Sequence, residues 1–285
     1  KNKYFMSSDK VSLVLSSGGA RGFAHISVIE SILNDGYDIV EISGTSIGSL
    51  IAAFYACGKL DKFKEWILTL DKLKTFSLMD FTVSQSGIIK GDKVFSLLKK
   101  IIKDEKIENL NIPISIVTTD IDNNKEVVIR EGSMYDAIRA SCSIPGLVKP
   151  YNLNGINYVD GGVLNPLPIN KLCYKEKIIT VNLNGHPTTS LLGKKTKRRS
   201  YLNYFNSLKS YFSNNQNTKH LGIYDITYRS VHMIQNQLSM MQIEKHNTFK
   251  NINIPCDVCH PLEFYKAKQI LEEGAKFYKE TKNNY

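Results

Sequence analysis

The pentapeptide Gly44–Gly48, with the sequence Gly-Thr-Ser-Ile-Gly, constrains the fold of this chain more than any other stretch. It lies between an extended-looking run, residues 37–43, and a helical-looking run, residues 47–57. This context is typical of a nucleophile elbow, a sharp turn that exposes a serine hydroxyl, here Ser46, at a helix N-terminus. Side chains two residues on either side of the serine would collide, so both places take glycine. The alternative is an ordinary glycine-rich turn.

The order of the predicted elements indicates an α/β fold. A short β-branched run, residues 11–16, is followed by the glycine-rich turn Ser17–Gly22 and by a helical run, residues 23–33. Strand and helix then alternate, which predicts a three-layer α/β/α domain with a mainly parallel central sheet. Further strands are expected at residues 112–118, 126–130, 157–159, 177–183 and 253–258, and further helices at residues 60–73, 93–102, 133–140, 225–245 and 262–278.

The composition is that of a globular protein. The 285 residues are 42% hydrophobic and 22% charged, and they can bury a sizeable core. The sequence has no run of 18 apolar residues, so we expect no transmembrane helix. The first ten residues are too polar for a signal peptide. The five cysteines, an odd number without framework spacing, indicate reduced thiols. We therefore expect a cytoplasmic protein, with peripheral membrane contact as a further possibility.

Residues 184–222 interrupt the α/β pattern, and we interpret them as an insertion in a domain formed by residues 11–183 and 223–280. The net charge of +10 is concentrated here, because no Asp or Glu lies between Lys177 and Tyr224. An aromatic stripe at helical spacing accompanies the lysines and arginines, at Tyr201, Tyr204, Phe205, Leu208, Tyr211 and Phe212. Residues 194–212 therefore predict either an interfacial helix on an anionic membrane or a helix packed on the domain. Nucleic acid is not an expected partner.

A nucleophilic serine also needs donors for the oxyanion and a base. The turn Ser17–Gly22 is the donor candidate, because its glycines let N–H groups converge at a helix N-terminus. A nucleotide site is disfavoured, since Ser17 occupies the first glycine position of that pattern. Arg21 either steers a phosphate head group or anchors the loop by a salt bridge.

The general base could be either a carboxylate or a histidine. Histidines occur at positions 25, 186, 220, 232, 246 and 260. Ser46, an aspartate and a later histidine would reproduce the chain order of the α/β-hydrolase triad. Asp160 follows a predicted strand, and Gly161 and Gly162 allow close backbone approach. A carboxylate of ordinary pKa, about 4, is a weak base, but burial would raise that pKa. Chemistry alone leaves both the dyad and the triad possible.

Three motifs together resemble the patatin-like phospholipase family: Ser17–His25, Gly44–Gly48 and Asp160–Gly162. The stretches 118–121, 140–145 and 165–168 are similar to its small bacterial members. The resemblance implies a patatin-like α/β fold and a lipid acyl hydrolase that cleaves phospholipid or lysophospholipid esters. It also implies a Ser–Asp dyad without histidine, metal or other cofactor.

Carried over by the same resemblance, Ser46 is the nucleophile and Asp160 the base. The N–H groups of Gly18, Gly19 and Ala20 form the oxyanion hole, although Ser17 departs from the usual glycine beside them. The supporting motif residues are Arg21, Gly22, Gly44, Gly48, Gly161 and Gly162.

One alternative function and three further sequence features were also considered for this chain. A membrane-binding regulatory module with a vestigial site is the alternative from a different functional class. Cys256–His260 matches the pattern of c-type haem attachment, but buried structural thiols account for it better. Asp120, at a strand end before a turn, is expected to be structural rather than catalytic. His25 is expected to make a structural hydrogen bond.

Overall fold

A computed structural model describes residues 9–80, 89–187 and 223–282. Its strands are β1 (Asp9–Leu15), β2 (Tyr37–Thr45), β3 (Ile114–Asp120), β4 (Lys125–Ile129), β5 (Tyr151–Leu153), β6 (Ile156–Asp160), β7 (Ile178–Gly185) and β8 (Lys250–Pro255). Its helices are α1 (Ala24–Asn34), α2 (Ile47–Ala56), α3 (Leu60–Leu68), α4 (Lys72–Leu78), α5 (Asp92–Ile101), α6 (Met134–Ser141), α7 (Ile223–Lys245) and α8 (Ala267–Lys282).

The strands form one eight-stranded sheet in the order β5-β6-β3-β2-β1-β7-β8, and β4 pairs with β3. The five strands β3, β2, β1, β7 and β8 run parallel. The strands β4, β5 and β6 pair antiparallel at one side of the sheet. The predicted three-layer α/β/α fold with a mainly parallel sheet is confirmed.

Strand β1 shows why the sheet is covered on both faces. Val11, Leu13 and Leu15 lie in the main hydrophobic cluster, which includes buried residues of α1, α2 and α8. Val14 points to the other face, where it belongs to a second cluster against which Ile243 of α7 packs. Alternate residues of a strand point to opposite faces, so a strand covered on both faces is buried without a break, as residues 11–15 are, with Ser12 the one polar side chain among them.

The prediction of one helix over residues 60–73 is wrong, because this range forms two helices. Helix α3 ends at Leu68, and α4 begins at Lys72. The carboxylate of Asp71 accepts the N–H of Lys74 at 2.7 Å, so Asp71 is the N-cap of α4. The helical spacing of the apolar residues runs through this junction and hides it.

Helix α7 confirms a predicted long helix, but apart from Ile243 its buried face is not formed by its large apolar side chains. Val231, Ile234 and Met241, which recur at helical spacing in this segment, are exposed. Ser239 is fully buried instead.

Strand β7 extends to Gly185 and so includes the first two residues that the sequence assigned to the insertion. The interfacial helix predicted within residues 194–212 lies outside the described residues. Within the described ranges, no helix combines the length and the hydropathy needed to cross a bilayer.

Candidate active site

The elbow at Ser46 is a strained turn between β2 and α2. Ser46 has φ 57° and ψ −125°, a conformation that residues other than glycine rarely adopt, and its side chain is buried. A Cβ on Gly44 would lie 2.7 Å from the backbone of Gly48, and one on Gly48 would overlap the carbonyl oxygen of Leu15. The two glycines therefore allow β1, β2 and α2 to approach closely enough for the turn to form.

We predict that Gly48→Ala destabilises the fold by about 1–3 kcal/mol, because the added methyl group meets backbone that cannot move aside. Chemical denaturation of the two proteins measures the difference. Gly36→Ala is the matched control, since its methyl group meets nothing within 4 Å while its φ of 86° carries the conformational strain alone. Equal destabilisation by both substitutions would contradict the close approach at Gly48.

Strand β3 brings the serine and the aspartate together. Its residue Val117 pairs with Thr45, the last residue of β2, and the next residue, Thr118, pairs with Asp160 at the end of β6. Strand β4 occupies the opposite edge of β3, so β2 and β6 follow one another along the same edge. Ser46 and Asp160 are therefore adjacent although 114 positions separate them in the sequence.

The side chains of the pair are hydrogen-bonded. Ser46 Oγ donates to Asp160 Oδ2, and the N–H of Gly162 donates to Asp160 Oδ1 at 2.7 Å. Burial raises the pKa of Asp160 to about 6, against the opposing effect of these two donors. The carboxyl group thus becomes a stronger base than an exposed aspartate, while it stays largely ionised at neutral pH.

Two serines of the 140–145 stretch hold the pair in place. Ser141 Oγ accepts the N–H of Ser46 at 2.8 Å and donates to the carbonyl of Val117 at 2.6 Å. The carbonyl of Ser143 accepts the N–H of Asp160 at 2.9 Å. The sequence pattern did not predict these bonds of Ser141 and Ser143. Only the resemblance to the family drew attention to residues 140–145.

Fewer N–H groups of the glycine-rich loop are available than the predicted oxyanion hole requires. The N–H of Ala20 donates to the carbonyl of Pro261 at 2.8 Å, so Ala20 is not available as a donor. Ser17 is equally occupied, with its N–H bonded to Pro166 at 2.9 Å. In the described part of the chain, no acceptor is found for the N–H groups of Gly18 and Gly19, and Gly19 has a φ of 59°.

Arg21 neither reaches a phosphate site at the surface nor forms a salt bridge in the described residues. It is buried, and its Nη1 donates to the carbonyls of Cys256 and Cys259 at 3.1 and 3.4 Å. Its Nη2 lies 3.3 Å from Nε2 of His232 on α7. Together with the Ala20–Pro261 bond, these contacts anchor the oxyanion loop to the segment after β8, a partner far away in sequence.

The remaining glycines of the motifs allow close packing around the pair. Gly22 lies against the side chain of Ile47, and Gly161 against the backbone of Val117. Three polar groups surround Gly162, the Asp160 carboxylate, the buried Ser17 hydroxyl and the amide of Gln235. Gln235 Nε2 donates to the Gly162 carbonyl at 3.0 Å, so α7 also contacts the site.

None of the hydrogen bonds of Ser46 and Asp160 within the described residues involves a histidine. His25 makes the expected structural bond, from its ring to the carbonyl of Ser16 at 3.0 Å, and burial lowers its pKa to about 4. Burial also lowers the pKa of His232 to about 4, with a smaller contribution from Arg21. Among the described residues, the Ser46–Asp160 pair is thus hydrogen-bonded without a histidine.

The other sequence candidates are structural. Asp120 is buried and accepts both the N–H and the side-chain amide of Asn123 at the β3–β4 turn. All five cysteines are free thiols. No group of three or more potential ligands in the described residues could hold a metal ion, Cys256 and Cys259 included.

Two proteins of known sequence are similar to this chain. An uncharacterized NTE family protein of Mycobacterium tuberculosis is 40% identical over 181 residues, which are 63% of this chain and 50% of that protein. Patatin-like phospholipase domain-containing protein 6 of Mus musculus is 29% identical over 195 residues, which are 65% of this chain and 14% of the mouse protein. The chain thus spans half or less of the length of these relatives.

Among solved structures, VipD from Legionella pneumophila aligns with a TM-score of 0.45 and 14% sequence identity, over 96% of this chain and 67% of VipD. Residues 13–172 match the family model of the patatin-like phospholipases. This range is more than half of the chain and contains the elbow, the glycine-rich loop and Asp160. The protein therefore belongs to the patatin-like phospholipase family.

Proposed function

We propose that this protein is a serine acyl hydrolase that cleaves fatty-acyl esters of phospholipids or lysophospholipids through the Ser46–Asp160 dyad. The supporting observation is the bond from Ser46 Oγ to a buried carboxylate whose pKa is raised to about 6. The family is one of lipid hydrolases, and the dyad chemistry and the choice of substrate are inferred from the geometry and the resemblance.

In the first half of the reaction, Ser46 Oγ attacks the ester carbonyl while Asp160 takes its proton. The developing oxyanion is stabilised by the N–H groups of Gly18 and Gly19 and by the N-terminus of α2, which begins one residue after Ser46. The tetrahedral intermediate collapses as Asp160 returns the proton to the leaving alcohol or lysolipid. An ester of Ser46 with the fatty acid remains.

In the second half, a water molecule replaces the leaving group. Asp160 removes a proton from this water as it attacks the acyl carbonyl, and then gives the proton to Ser46 Oγ as the fatty acid leaves. The bond from the Gly162 N–H keeps the carboxyl group oriented through both halves. One carboxylate therefore serves as base and acid in turn.

The experiment that tests this function is lipid-class profiling. The purified protein is incubated with a total lipid extract, and the products are compared by mass spectrometry with those of the Ser46→Ala variant. Free fatty acids and lysolipids, or their deacylated products, are expected with the wild type only. Equal product profiles would contradict the proposal.

The pKa of Asp160 predicts the acid limb of the pH profile. The carboxylate must be ionised to accept a proton, so kcat/KM for a soluble ester should fall about tenfold per pH unit below pH ~6. A histidine base would give a similar midpoint, but imidazole ionisation is strongly endothermic and carboxyl ionisation is nearly thermoneutral. The midpoint should therefore stay in place on warming, and a marked downward shift would indicate a histidine.

We also propose a cytoplasmic protein with peripheral contact to anionic membranes through residues 194–212, supported by the charge and the aromatic stripe of that sequence. Deleting residues 194–212 is expected to weaken binding to anionic vesicles. Unchanged binding would remove this contact.

A further inference from the structure

The inner face of helix α7 is polar where it contacts the catalytic loops, and Ile243 near the end of the helix packs on the sheet. His232 approaches Arg21 of the oxyanion loop, Gln235 donates to Gly162 beside Asp160, and Asn236 donates to the carbonyl of Asn184 at the end of β7. These residues precede the fully buried Ser239 by seven, four and three positions, so they share one helical face. The polar side of this helix is thus directed at the protein.

The outer face of α7 presents large apolar side chains to water, with Ser230, Gln237 and Glu244 between them. Four large side chains on it have exposed fractions between one half and three quarters, Met233 at 72%, Ile234 at 56%, Met241 at 54% and Ile226 at 51%. A helix at the surface of a soluble domain ordinarily shows the opposite pattern. A single exposed apolar residue is unremarkable, but four on one helix form a patch that indicates an interaction site.

The charge of the chain indicates what the patch contacts. The protein has a net charge of +10, and the sequence directly before α7 has seven lysines and arginines between residues 194 and 219 with no acidic residue. A cationic stretch that precedes an apolar helix face in the sequence complements an anionic lipid surface, where head groups attract the charge and acyl chains accept the side chains.

We propose that the outer face of α7, formed by Ile226, Met233, Ile234 and Met241, docks on an anionic lipid surface. This inference rests on the proposed lipid-hydrolase function and deepens it. The inner face of the same helix contacts Arg21 of the glycine-rich loop and Gly162 beside Asp160, so docking would place the catalytic pair about one helix diameter, ~10 Å, from the lipid. The ester substrate would then reach the site from the surface on which the protein rests.

The test is vesicle cosedimentation of the double variant Met233→Gln/Ile234→Gln in a Ser46→Ala background, in which the vesicles stay intact. Glutamine keeps the helix propensity of the segment. With vesicles of phosphatidylcholine and phosphatidylglycerol, the partition coefficient should fall at least about tenfold relative to the parent, because two apolar side chains leave the lipid. Vesicles of phosphatidylcholine alone should bind both proteins weakly.

Leu73→Gln is the matched control, since Leu73 on α4 is 81% exposed and lies on another element. This control should bind as the parent does. The proposal is overturned if the double variant binds as tightly as the parent, or if Leu73→Gln weakens binding equally.

Two further results would assign the face to another occupant and also overturn the proposal. Unchanged vesicle binding with a lowered melting temperature would mean that another part of this chain covers the face. Unchanged vesicle binding with a smaller mass in sedimentation without lipid would mean that a second copy does. Hydrolysis is not needed for any of these measurements, so failure of the docking and failure of the proposed function are read separately.

Discussion

Ser46→Ala is expected to lower ester hydrolysis by about 10⁴-fold or more, the scale on which removal of a serine nucleophile acts. The variant keeps the backbone of the elbow but has no oxygen to attack the carbonyl or to donate to Asp160. The loss should appear in kcat/KM for a soluble short-chain ester as well as for lipid, because the acyl-enzyme forms in both reactions. Steady-state kinetics with both substrates measure it.

Ser31→Ala is the matched control for this substitution. Its hydroxyl donates within α1 to the carbonyl of Ser27 at 2.7 Å and touches no part of the dyad. It should hydrolyse both substrates at the wild-type rate. Substantial turnover by folded Ser46→Ala, verified by an unchanged circular dichroism spectrum, would mean that another group is the nucleophile.

Asp160→Asn should lower kcat/KM by about 10³- to 10⁴-fold, because asparagine keeps the shape and the acceptor for Gly162 but cannot take the proton of Ser46. Its stability should change in the opposite direction. An acid whose folded pKa is raised contributes stability only while protonated, and that contribution is lost as the pH rises through about 6. The neutral asparagine avoids this loss, so the variant should be at least as stable as wild type at neutral pH.

Asp120→Asn is the control, because Asp120 is another buried carboxylate on β3 that caps a turn. It should retain hydrolysis per folded molecule. If Asp160→Asn stayed active while a histidine substitution abolished turnover, the Ser–Asp–His triad would replace the dyad.

Local signals in the sequence singled out Ser46 and Asp160 as candidates, and the resemblance to the family assigned them the roles of nucleophile and base. The glycines of Gly44–Gly48 mark a turn that only they can form, and Asp160 stands between a strand and two glycines. The alternation of strands and helices likewise predicted the three-layer fold. What the sequence could not supply is the pairing of β6 on the edge of β3 beyond the end of β2, which brings the two residues together.

The expectations that fail depend on contacts distant in sequence. Ala20 loses its donor role to Pro261, and Arg21 finds backbone carbonyls near the C-terminal end of the sheet instead of a carboxylate. No local sequence pattern predicts Pro261 as the partner of Ala20 or the carbonyls of Cys256 and Cys259 as the partners of Arg21. Helix α7 differs for another reason: apolar residues at helical spacing ordinarily mark the buried face, whereas Val231, Ile234 and Met241 lie on the exposed one.

The most direct measurement is the site of attachment of a fluorophosphonate lipid analogue, which phosphonylates an activated serine and mimics the tetrahedral intermediate. Peptide mass spectrometry of the wild type is expected to find one label per chain, on Ser46, with hydrolysis lost in proportion to labelling and with labelling strongly slowed in Asp160→Asn. An active protein whose Ser46 remains unlabelled, or whose activity is lost with the label on another residue, would contradict the Ser46–Asp160 mechanism.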